Sequence, residues 1–401
     1  VREMIRNVYK ECKGVPKGNC LTKEQRLSLQ MDEFMNRRYE FRYNTQIGEV
    51  EYRERFSFQF YFHPIDKRAQ NSIMLDAQSE GIGVWDRDID RYLHSNRVPI
   101  YNPLEEFLFH LPHWDGKDRI HALANRVPCN NPHWELLFHR WFLNMVSHWR
   151  GVDKMHANST SPILVGAQGT HKSTFCREMI PPALRAYYTD SIDFSQKRDA
   201  ELYLNRFALI NIDEFDQITL TQQGFLKHIL QKPVVNLRKP HGRSVLELQR
   251  YASFIGTSNQ KDLLTDPSGS RRFICIEVTG NIDTTQPIDY EQLYAQAMHE
   301  IYHGERYWFD SEDEQIMTEN NREFEQTPAM LQLFYQYFKA AQTKEEGEFL
   351  TPVEILNYLK KKSGISLSDN KVYHFGRLLQ KCGITSKHTY KGTVYQVIKV
   401  S

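Results

Sequence analysis

The segment Gly166-Ala-Gln-Gly-Thr-His-Lys-Ser-Thr174 has residue types and a spacing that suit the binding of a phosphate chain. Its glycines would let backbone N–H groups converge on phosphate oxygens, and the dipole of a following helix would add to this attraction. Lys172 would reach the β and γ phosphates, and the Ser173 hydroxyl would bind Mg²⁺. The segment therefore predicts a loop that binds ATP and Mg²⁺ through Gly166, Gly169, His171, Lys172, Ser173 and Thr174.

One position of this loop departs from the pattern G-x-x-x-x-G-K-[ST]. His171 stands where the second fixed glycine belongs. A side chain there is compatible with a phosphate loop only if the residue keeps an allowed backbone conformation. The alternative is a glycine-rich turn without a ligand. The apolar run Ile163-Leu-Val before the segment and the helical pattern after it favour the phosphate loop.

Two adjacent carboxylates, Asp213 and Glu214, follow the apolar run Phe207-Ala-Leu-Ile-Asn-Ile. Hydrolysis of a nucleoside triphosphate needs one carboxylate to hold hydrated Mg²⁺, which we assign to Asp213. It needs a second to orient or deprotonate the attacking water, which we assign to Glu214. The alternative is a strand-to-helix junction whose acids cap the next helix, and we assign that cap to Asp216.

Two further groups follow a third apolar run, Ala252-Ser-Phe-Ile-Gly-Thr. Asn259 at its end would position the attacking water beside the γ phosphate, although an asparagine there can also simply form a turn. Arg271 and Arg272 suit an arginine finger, which stabilises charge on the transferred phosphoryl group and is often supplied by a neighbouring subunit. The alternative for either arginine is a structural salt bridge, and the sequence does not say which one is the finger.

Between the second and third apolar runs, residues 234–248 form two alternating segments around the tip Pro240-His-Gly. This pattern predicts a β-hairpin with a basic tip. Facing a central pore, such a hairpin would contact a phosphodiester backbone without regard to base sequence. The alternative is a solvated loop. The predicted nucleic-acid contacts are Arg238, Lys239, His241 and Arg243.

The elements that must position these groups are apolar runs that alternate with helical patterns between about residues 160 and 310. Buried parallel strands have this appearance, so the predicted fold class is α/β. The predicted division is an N-terminal α+β region at 1–100, a helical module at 101–160, the α/β domain at 161–310, an acidic helical linker at 311–348 and a basic domain at 349–401.

The ends of the chain differ from this middle part. Thr22 to Asn36 predicts a helix, and the alternating residues after it predict a hairpin. Near the other end, Thr351-Pro-Val-Glu354 is a helix-start signal, and residues 351–401 carry an excess of seven positive charges. A second helix and a short β-wing follow, so we expect a winged-helix-like domain.

The composition limits the class of protein. With 51 Lys plus Arg against 50 Asp plus Glu in 401 residues, any nucleic-acid contact must come from local basic segments. No apolar run approaches the roughly 20 residues of a membrane span, which argues against a membrane protein. The six cysteines form no C-x-x-C pair, which indicates reduced thiols in a cytoplasmic protein. Because the chain starts at Val1, we expect further sequence upstream.

The order of these motifs resembles that of the virulence-associated protein E (VapE) family of phage, satellite and mobile-element proteins, which is similar to superfamily 3 helicases. The resemblance covers roughly residues 100 to 310 and includes Tyr101-Asn-Pro and Trp114-Asp-Gly-Lys. More weakly, it takes in Phe34-Met-Asn-Arg-Arg-Tyr near the start. The basic C-terminal segment looks like an extension found in relatives from Bacteroides-type bacteria.

The resemblance implies a P-loop NTPase core of the AAA+ and superfamily 3 helicase type, with the site residues in the roles given above. It implies Asn259 as a sensor and Arg271 or Arg272 as a finger that acts on a neighbouring subunit. It also implies a homo-oligomeric ring, commonly a hexamer, that moves along single-stranded DNA. Relatives often carry a primase-like domain at the N-terminus.

We therefore expect an ATP-dependent, ring-forming DNA translocase, specifically a replicative helicase of a phage or mobile element, whose C-terminal domain is a candidate contact for duplex DNA. Two alternatives stay open. ATP could control only oligomerisation and DNA binding, as in an initiator or a defence factor, which predicts slow hydrolysis that DNA barely changes. A phosphotransferase would share the phosphate loop, but the series from Asn259 to Arg271 argues against it.

Overall fold

The computed structural model describes residues 21–58, 60–151, 153, 155–237, 245–264, 267–326, 329–341, 347–364, 372–390 and 392–400. In these ranges the buried apolar side chains gather in an N-terminal cluster, a cluster on each face of a parallel sheet, and a C-terminal cluster. Layers of helix and sheet around such clusters are the usual way to build a core. No helix within the described ranges is long and apolar enough to cross a membrane.

The N-terminal region begins with α1 (Lys23–Arg38), whose start is fixed by Thr22. The Thr22 hydroxyl accepts a hydrogen bond from the backbone N–H of Gln25, and the Gln25 side chain accepts one from that of Thr22. These bonds satisfy two N–H groups that a helix start otherwise leaves free. An antiparallel hairpin of β1 (Tyr39–Asn44) and β2 (Glu49–Glu54) follows. The predicted helix and hairpin are confirmed.

The hairpin is the centre of a four-stranded sheet. β3 (His63–Pro64) pairs antiparallel with β2, and β4 (Ile100–Tyr101) pairs parallel with β1. The order is therefore β3-β2-β1-β4. α2 (Lys67–Ser79) and α3 (Asp86–Leu93) share a core with this sheet and with Phe34 of α1, which makes the region an α+β unit.

Three helices lead from this unit to the parallel sheet: α4 (Pro103–Phe109), α5 (Arg119–Ala124) and α6 (Trp134–Arg150). α4 starts at a proline after the cap residue Asn102, a combination typical of helix starts. Buried side chains of these helices, among them Trp141, share one core with the sheet. The segment predicted as a separate helical module therefore covers one face of the sheet.

The middle of the chain forms a five-stranded sheet and a separate hairpin. The strands in chain order are β5 (Ser161–Val165), β6 (Tyr188–Thr189), β7 (Leu209–Ile212), β8 (Val234–Leu237), β9 (Leu246–Gln249), β10 (Ser253–Ser258) and β11 (Phe273–Glu277). β8 and β9 pair only with each other, antiparallel, among the described residues. The other five run parallel in the order β11-β5-β10-β7-β6. The predicted α/β class with a parallel sheet is confirmed.

Helices cover both faces of this sheet, so its central strands are buried on both sides and are apolar almost throughout. β10 lies between β5 and β7. Because these three strands are parallel, the segments that follow them meet at one edge of the sheet. The covering helices are α7 (Lys172–Glu178), α8 (Lys197–Arg206), α9 (Leu220–Leu230) and α10 (Tyr290–Tyr302).

The segment 311–348 is not a linker, contrary to the sequence prediction. α11 (Ser311–Asn320) is followed by Asn321, whose buried side chain is hydrogen-bonded to the backbone of β11 and of the turn before it. α12 (Ala329–Tyr337) and β12 (Phe338–Ala340) belong to the C-terminal core. The C-terminal unit therefore begins well before residue 349, because its core includes the aromatic side chains of α12 and β12.

The rest of the C-terminal unit consists of β13 (Glu348–Leu350), α13 (Pro352–Ser363), α14 (Val372–Lys381), β14 (Ser386–Thr389) and β15 (Gly392–Lys399). The capping box of Thr351 and Glu354 starts α13 as predicted. β15 pairs antiparallel with β12, β13 and β14. The β14–β15 hairpin lies where the sequence predicts a β-wing.

His148 of α6 lies in the core close to Arg250, and both side chains are almost fully buried. The His148 Nε2 atom accepts a hydrogen bond of 2.7 Å from the backbone N–H of Asn158, so this nitrogen carries no proton. Burial, together with the nearby Arg250 charge, lowers the pKa of His148 to about 3. The ring is therefore neutral in the folded chain across the physiological range.

We predict that His148 makes the fold sensitive to mild acid. Below an ordinary histidine pKa of about 6.5, the unfolded chain takes up a proton that the folded chain does not. The stabilisation is thus complete above that pH and is lost as the pH falls toward 3, at up to about 1.4 kcal/mol per pH unit. Urea unfolding of the wild type between about pH 7.5 and 5 measures this loss.

His148→Gln is the matched control, because a glutamine oxygen can still accept the bond from Asn158 but does not titrate. The variant should lose less free energy of unfolding on acidification than the wild type. Equal losses in the two proteins would contradict the assignment.

Candidate active site

The predicted phosphate loop connects β5 to α7, and its backbone is fixed by neighbouring segments. The N–H of Gly166 donates to the Ser258 carbonyl at 3.1 Å, and the N–H of Ile282 donates to the Thr170 carbonyl at 3.1 Å. A Cβ on Gly166 would lie 2.9 Å from the carbonyl oxygen of Val278, so only glycine fits this position without a shift. The loop therefore passes closely between the ends of β10 and β11.

His171 adopts the left-handed backbone conformation, with φ 67° and ψ 21°, immediately before α7. This is the conformation for which glycine is usually selected. Histidine is one of the few other residues enriched there. The departure from the motif is thus accommodated by backbone strain at one residue, and the His171 side chain is exposed.

The Lys172 ammonium group is buried within the loop that carries it. Nζ donates to the carbonyls of Gly166 and Ala167 at 2.7 and 2.8 Å and to Oδ1 of Asn259 at 3.2 Å. Burial lowers the pKa of Lys172, and the carboxylate of Asp213 acts in the opposite direction. The lysine is thus a desolvated cation held at the ends of β5 and β10.

Asp213, the first residue after β7, is oriented by two hydroxyl groups. Ser173 Oγ donates to Asp213 Oδ1 at 3.0 Å, and Thr257 Oγ1 donates to the same oxygen through a short hydrogen bond. The carboxylate of β7 and the hydroxyl of α7 therefore meet in one place. Oxygen donors of this kind are the ligands that Mg²⁺ accepts, usually one or two carboxylates together with phosphate oxygens.

Among the residues that the structure describes, no three His, Cys, Asp or Glu side chains converge as an all-protein metal cage would require. A cation held by Ser173 and Asp213 would need further ligands from water or a phosphate chain.

Glu214 also has a left-handed backbone, with φ 52° and ψ 52°, and its side chain is exposed. It precedes a short 3₁₀ turn, Phe215–Gln217. The assignment of Asp216 as the next helix cap is wrong: Thr219 caps α9, whereas Asp216 accepts a hydrogen bond of 2.8 Å from the Ser258 hydroxyl. The turn places this carboxylate toward β10 instead of toward α9.

The end of β10 contributes three consecutive polar side chains, each with a different partner. The Thr257 hydroxyl donates a hydrogen bond to Asp213, and the Ser258 hydroxyl donates one to Asp216. The Asn259 side-chain oxygen accepts one from Lys172. Of these three residues, only Asn259 has a role predicted from the sequence. Thr257 and Ser258 could have been found from the sequence as a pair of hydroxyl residues at the end of an otherwise apolar strand.

Together these groups line a cleft of about 320 Å³ at the carboxyl edge of the parallel sheet. Eight of the residues predicted to bind a phosphate chain or to act on it lie in the lining, as does Thr257. They are Gly169, His171, Lys172, Ser173, Thr174, Asp213, Glu214 and Asn259.

The arginine candidates lie at the other edge of the sheet. They directly precede β11, whose first residue, Phe273, is in register with Ser161 at the start of β5. The five residues of β5 place them about 16 Å along the strand direction from the loop. Arg271 pairs with Glu314 of α11 at 2.9 Å. The structure therefore does not bring Arg271 or Arg272 to the cleft of their own chain.

The predicted basic hairpin has its stem in β8 and β9, with Val234 opposite Gln249 and Leu237 opposite Leu246. Its tip lies outside the described residues, and with it the four predicted nucleic-acid contacts Arg238, Lys239, His241 and Arg243.

Arg250, the residue after β9, fixes the base of this stem. Its guanidinium is buried and donates to the carbonyls of Leu230 and Lys232 before β8, of Asn158 before β5 and of Ala252 before β10. Because burial has no compensating acid here, the pKa of Arg250 falls to about 9.

The geometry defines a mixed α/β chain with a parallel sheet and a polar cleft at its carboxyl edge. A family model, the virulence-associated protein E-like domain, matches residues 108–326, which is more than half of the chain. The chain therefore belongs to the virulence-associated protein E-like domain family. A second model, described as a domain of unknown function from B. theta, matches residues 327–397, which agrees with the early start of the C-terminal unit.

Among solved structures, an apo structure of the NrS-1 C-terminal region is similar at 12% identity and a TM-score of 0.45, covering 95% of this chain and 100% of that one. An A-form apo structure of the same region is 11% identical with a TM-score of 0.45, covering 93% and 98%. A search of curated proteins finds no significant match.

We predict that the stability of the chain depends more on the shape of the side chain at position 171 than on its chemistry. His171→Gly removes strain but adds freedom to the unfolded chain, so its stability should stay within about 1 kcal/mol of the wild type. His171→Val should lose at least about 1–2 kcal/mol, since a β-branched residue is a poor fit at positive φ. Thermal unfolding measures both.

Arg177→Val is the control for adding a β-branched apolar residue near the loop, because Arg177 lies at an exposed position of the right-handed helix α7. It should destabilise the chain less than His171→Val. If His171→Val were as stable as the wild type, the left-handed conformation of residue 171 would be refuted.

We predict that Thr257 positions the Asp213 carboxylate. Thr257→Val keeps the shape but removes the donor, so Asp213 should bind a divalent cation more weakly, by about threefold to tenfold for a lost hydrogen bond of about 1 kcal/mol. Thr257→Ser should restore most of the affinity. Titration with Mg²⁺ in the presence of a non-hydrolysable nucleotide measures this. Equal affinities for Thr257→Val and Thr257→Ser would show that the hydroxyl has no such role.

Proposed function

We propose that this chain is an ATP- and Mg²⁺-dependent DNA translocase that works as a ring, in the manner of a replicative helicase of a phage or mobile element. The observation that supports this best is the convergence of Lys172, Asp213 and Asn259 at one edge of a parallel sheet. Membership of the virulence-associated protein E-like family agrees with it.

In this proposal the sheet and the loop form a P-loop NTPase core. The backbone N–H groups of the loop and the start of α7 would hold phosphate oxygens. Lys172 would exchange the loop carbonyls for the β and γ phosphates, since an ammonium group gains more from an anion than from a carbonyl. Burial lowers the pKa of Lys172, and the negative charge of the phosphates would act in the opposite direction.

Ser173 and Asp213 would hold the cation, and Thr257 would keep the carboxylate turned toward it. Bound Mg²⁺ would neutralise charge that develops on the phosphate oxygens. Glu214, exposed at the mouth of the cleft, would accept a proton from the attacking water. Asn259 would orient that water, being within reach of Lys172 and thus of the γ phosphate.

Charge stabilisation by arginine would come from a neighbouring subunit. Arg271 and Arg272 lie at the edge of the sheet opposite the cleft, so in a head-to-tail ring they would face the cleft of the next chain. The Arg271–Glu314 ion pair is exposed and weak, so it could be exchanged for a phosphate contact at little cost.

Single-stranded DNA would be the partner of the hairpin tip, through Arg238, Lys239, His241 and Arg243. The C-terminal unit would be winged-helix-like and would offer a second basic surface for duplex DNA. The cytoplasm is the compartment in which we place this activity.

A second candidate function is an assembly switch, in which ATP controls oligomerisation and DNA binding without processive unwinding. One observation favours it: of the described residues that line the cleft, none is an arginine, so a single chain would hydrolyse ATP slowly.

The two functions predict different responses to DNA. In the translocase, steady-state ATP hydrolysis should rise several-fold or more as single-stranded DNA is added at low salt, because DNA movement would be coupled to turnover. In the assembly switch the rate should stay flat. Lys172→Ala should abolish nucleotide binding and serves as the blank.

Glu214→Gln separates binding from chemistry. It should bind nucleotide with about wild-type affinity yet lower the hydrolysis rate by at least about 100-fold, the usual value of a general base. Hydrolysis that persists in Lys172→Ala or Glu214→Gln would refute the site, whereas phosphate transfer to an added small acceptor would indicate a phosphotransferase.

A further inference from the structure

Arg271 and Arg272 end the turn Pro267–Arg272, which we name the arginine turn. Arg271 is exposed, and β11 begins directly after Arg272. An arginine that acts on the cleft of another chain has to reach a phosphate across an interface. Its backbone must therefore be held in place by its own chain.

Asn321 holds the end of the arginine turn. Its side chain is fully buried, and Nδ2 donates to the carbonyls of Ser270 and Phe273 at 2.6 and 2.7 Å. Its Oδ1 accepts a hydrogen bond of 3.2 Å from the backbone N–H of Cys275. The two carbonyls belong to the residues immediately before and after the two arginines. One side chain therefore fixes the backbone on both sides of the pair.

The amide group of Asn321 matches these partners. Two carbonyls need two N–H donors, and one backbone N–H needs an acceptor, which are the groups that an asparagine side chain offers. The same pattern fixes which atom of the amide is nitrogen and which is oxygen. An aspartate would only accept, and a serine hydroxyl has a single hydrogen to donate. Alanine at this position would lose all three hydrogen bonds.

The residues that follow this asparagine hold the segment that leads into the arginine turn. The Phe324 carbonyl accepts hydrogen bonds from the N–H groups of Leu263 and Leu264 at 3.1 and 2.9 Å. The N–H of Gln326 donates to the Leu264 carbonyl at 2.9 Å. Residues 321–326 therefore contact the chain on both sides of the arginine turn.

α11, which precedes Asn321, is itself anchored. Asp313 is buried and pairs with the guanidinium groups of Arg140 and Arg306. The first of these arginines belongs to α6, one of the helices that cover the sheet. Glu314, the next residue of α11, pairs with the side chain of the first arginine of the turn. α11 and the segment after it therefore connect the arginine turn to the layer of helices on the sheet.

We propose that Asn321 is a positioning residue for an arginine that stabilises charge in the cleft of a neighbouring chain. It acts through the backbone of Ser270 and Phe273, and it contacts neither nucleotide nor Mg²⁺. This role rests on the proposed function, because a displaced arginine affects the rate only if the cleft hydrolyses ATP. A misplacement of about 1 Å in such a group can cost on the order of 100-fold in rate.

The first measurement is steady-state ATP hydrolysis by the full chain. Asn321→Ala should be about tenfold to 100-fold slower than the wild type, because the arginines would no longer be held toward the next cleft. Its affinity for ADP should equal that of the wild type, since its own phosphate loop is unchanged. A wild-type rate, or a loss of rate together with a loss of ADP affinity, would overturn the role of Asn321.

Asn158→Ala is the matched control for the loss of a buried amide. Asn158 is also fully buried, and its Nδ2 donates to the Trp141 carbonyl and to the Ser253 hydroxyl. Neither partner belongs to the arginine turn. This variant should lose stability as Asn321→Ala does, without a displacement of the arginines.

A mixture of two variants distinguishes positioning from structural damage. Glu214→Gln chains have an inactive cleft and intact arginines, whereas Asn321→Ala chains have an intact cleft and displaced arginines. In a random ring, about a quarter of the interfaces would combine the intact cleft with intact arginines. The equimolar mixture should therefore regain about a quarter of the wild-type rate, well above the mean of the two variants alone.

Three further mixtures are controls. Arg271→Ala/Arg272→Ala mixed with Glu214→Gln should recover in the same way, because it also joins an intact cleft to intact arginines. Arg271→Ala/Arg272→Ala mixed with Asn321→Ala should stay inactive, since neither chain places an arginine. Asn158→Ala mixed with Glu214→Gln should not exceed the mean of its two components, because another chain cannot repair structural damage.

The mixtures also separate this role from the proposed function. Recovery with the double arginine variant but not with Asn321→Ala would refute the role of Asn321 and leave the proposed function standing. No recovery with either would overturn both that role and the supply of arginine by a neighbouring chain. No hydrolysis by the wild type would overturn the proposed function, and the role of Asn321 with it.

Circular dichroism of each variant shows whether it is folded. If Asn321→Ala is unfolded, Asn321→Ser replaces it in every mixture, because the hydroxyl keeps one donor at this position. The same recovery is expected from Asn321→Ser, and its absence would have the same meaning.

Discussion

The cleft depends on one constraint, which is the close packing of β10 between β5 and β7. Gly256 makes that packing possible, since a Cβ at this position would lie 2.8 Å from the Ile163 side chain. With the register fixed, the residues that end β10 must lie between the phosphate loop and the acids. A slip of one residue would turn every side chain to the opposite face of the sheet. The contacts of Thr257 and Asn259 are therefore a consequence of strand packing in the core.

Backbone strain among the described residues is found at the cleft. Among the described residues, His171 and Glu214 are the non-glycine residues with positive φ, and both line the cleft. Such conformations cost free energy and persist where surrounding structure holds them, commonly at functional sites. Here the hydrogen bonds of Lys172 and the turn after β7 hold them. The strained residues are the ones that direct the loop and the exposed carboxylate into the cleft.

Local signals could be predicted from the sequence because they depend on neighbouring residues. The helix that starts at Thr22, the capping box of Thr351, the β1–β2 hairpin and the apolar strands are of this kind. Contacts between segments that are distant in the sequence could not be predicted in this way. Thr257 meets Asp213 only because of the order of the strands, and Arg271 meets Glu314 only because α11 packs beside β11. The predicted start of the C-terminal domain at residue 349 is too late for the same reason: the acidic residues at 311–320 favour a linker, whereas aromatic side chains that follow them belong to the C-terminal core.

Arg250 joins the base of the β8–β9 hairpin to the neighbouring segments of the domain. The buried Arg250 guanidinium donates to carbonyls at the end of α9, before β5 and just before β10, and among the described residues only backbone carbonyls accept these hydrogen bonds. These hydrogen bonds restrict the movement of the hairpin stem relative to the parallel sheet. β9 continues through Arg250 and Tyr251 into β10, and Asn259, directly after β10, contacts Lys172. The hairpin stem and the cleft are thus the two ends of one strand, and Arg250 holds the start of that strand.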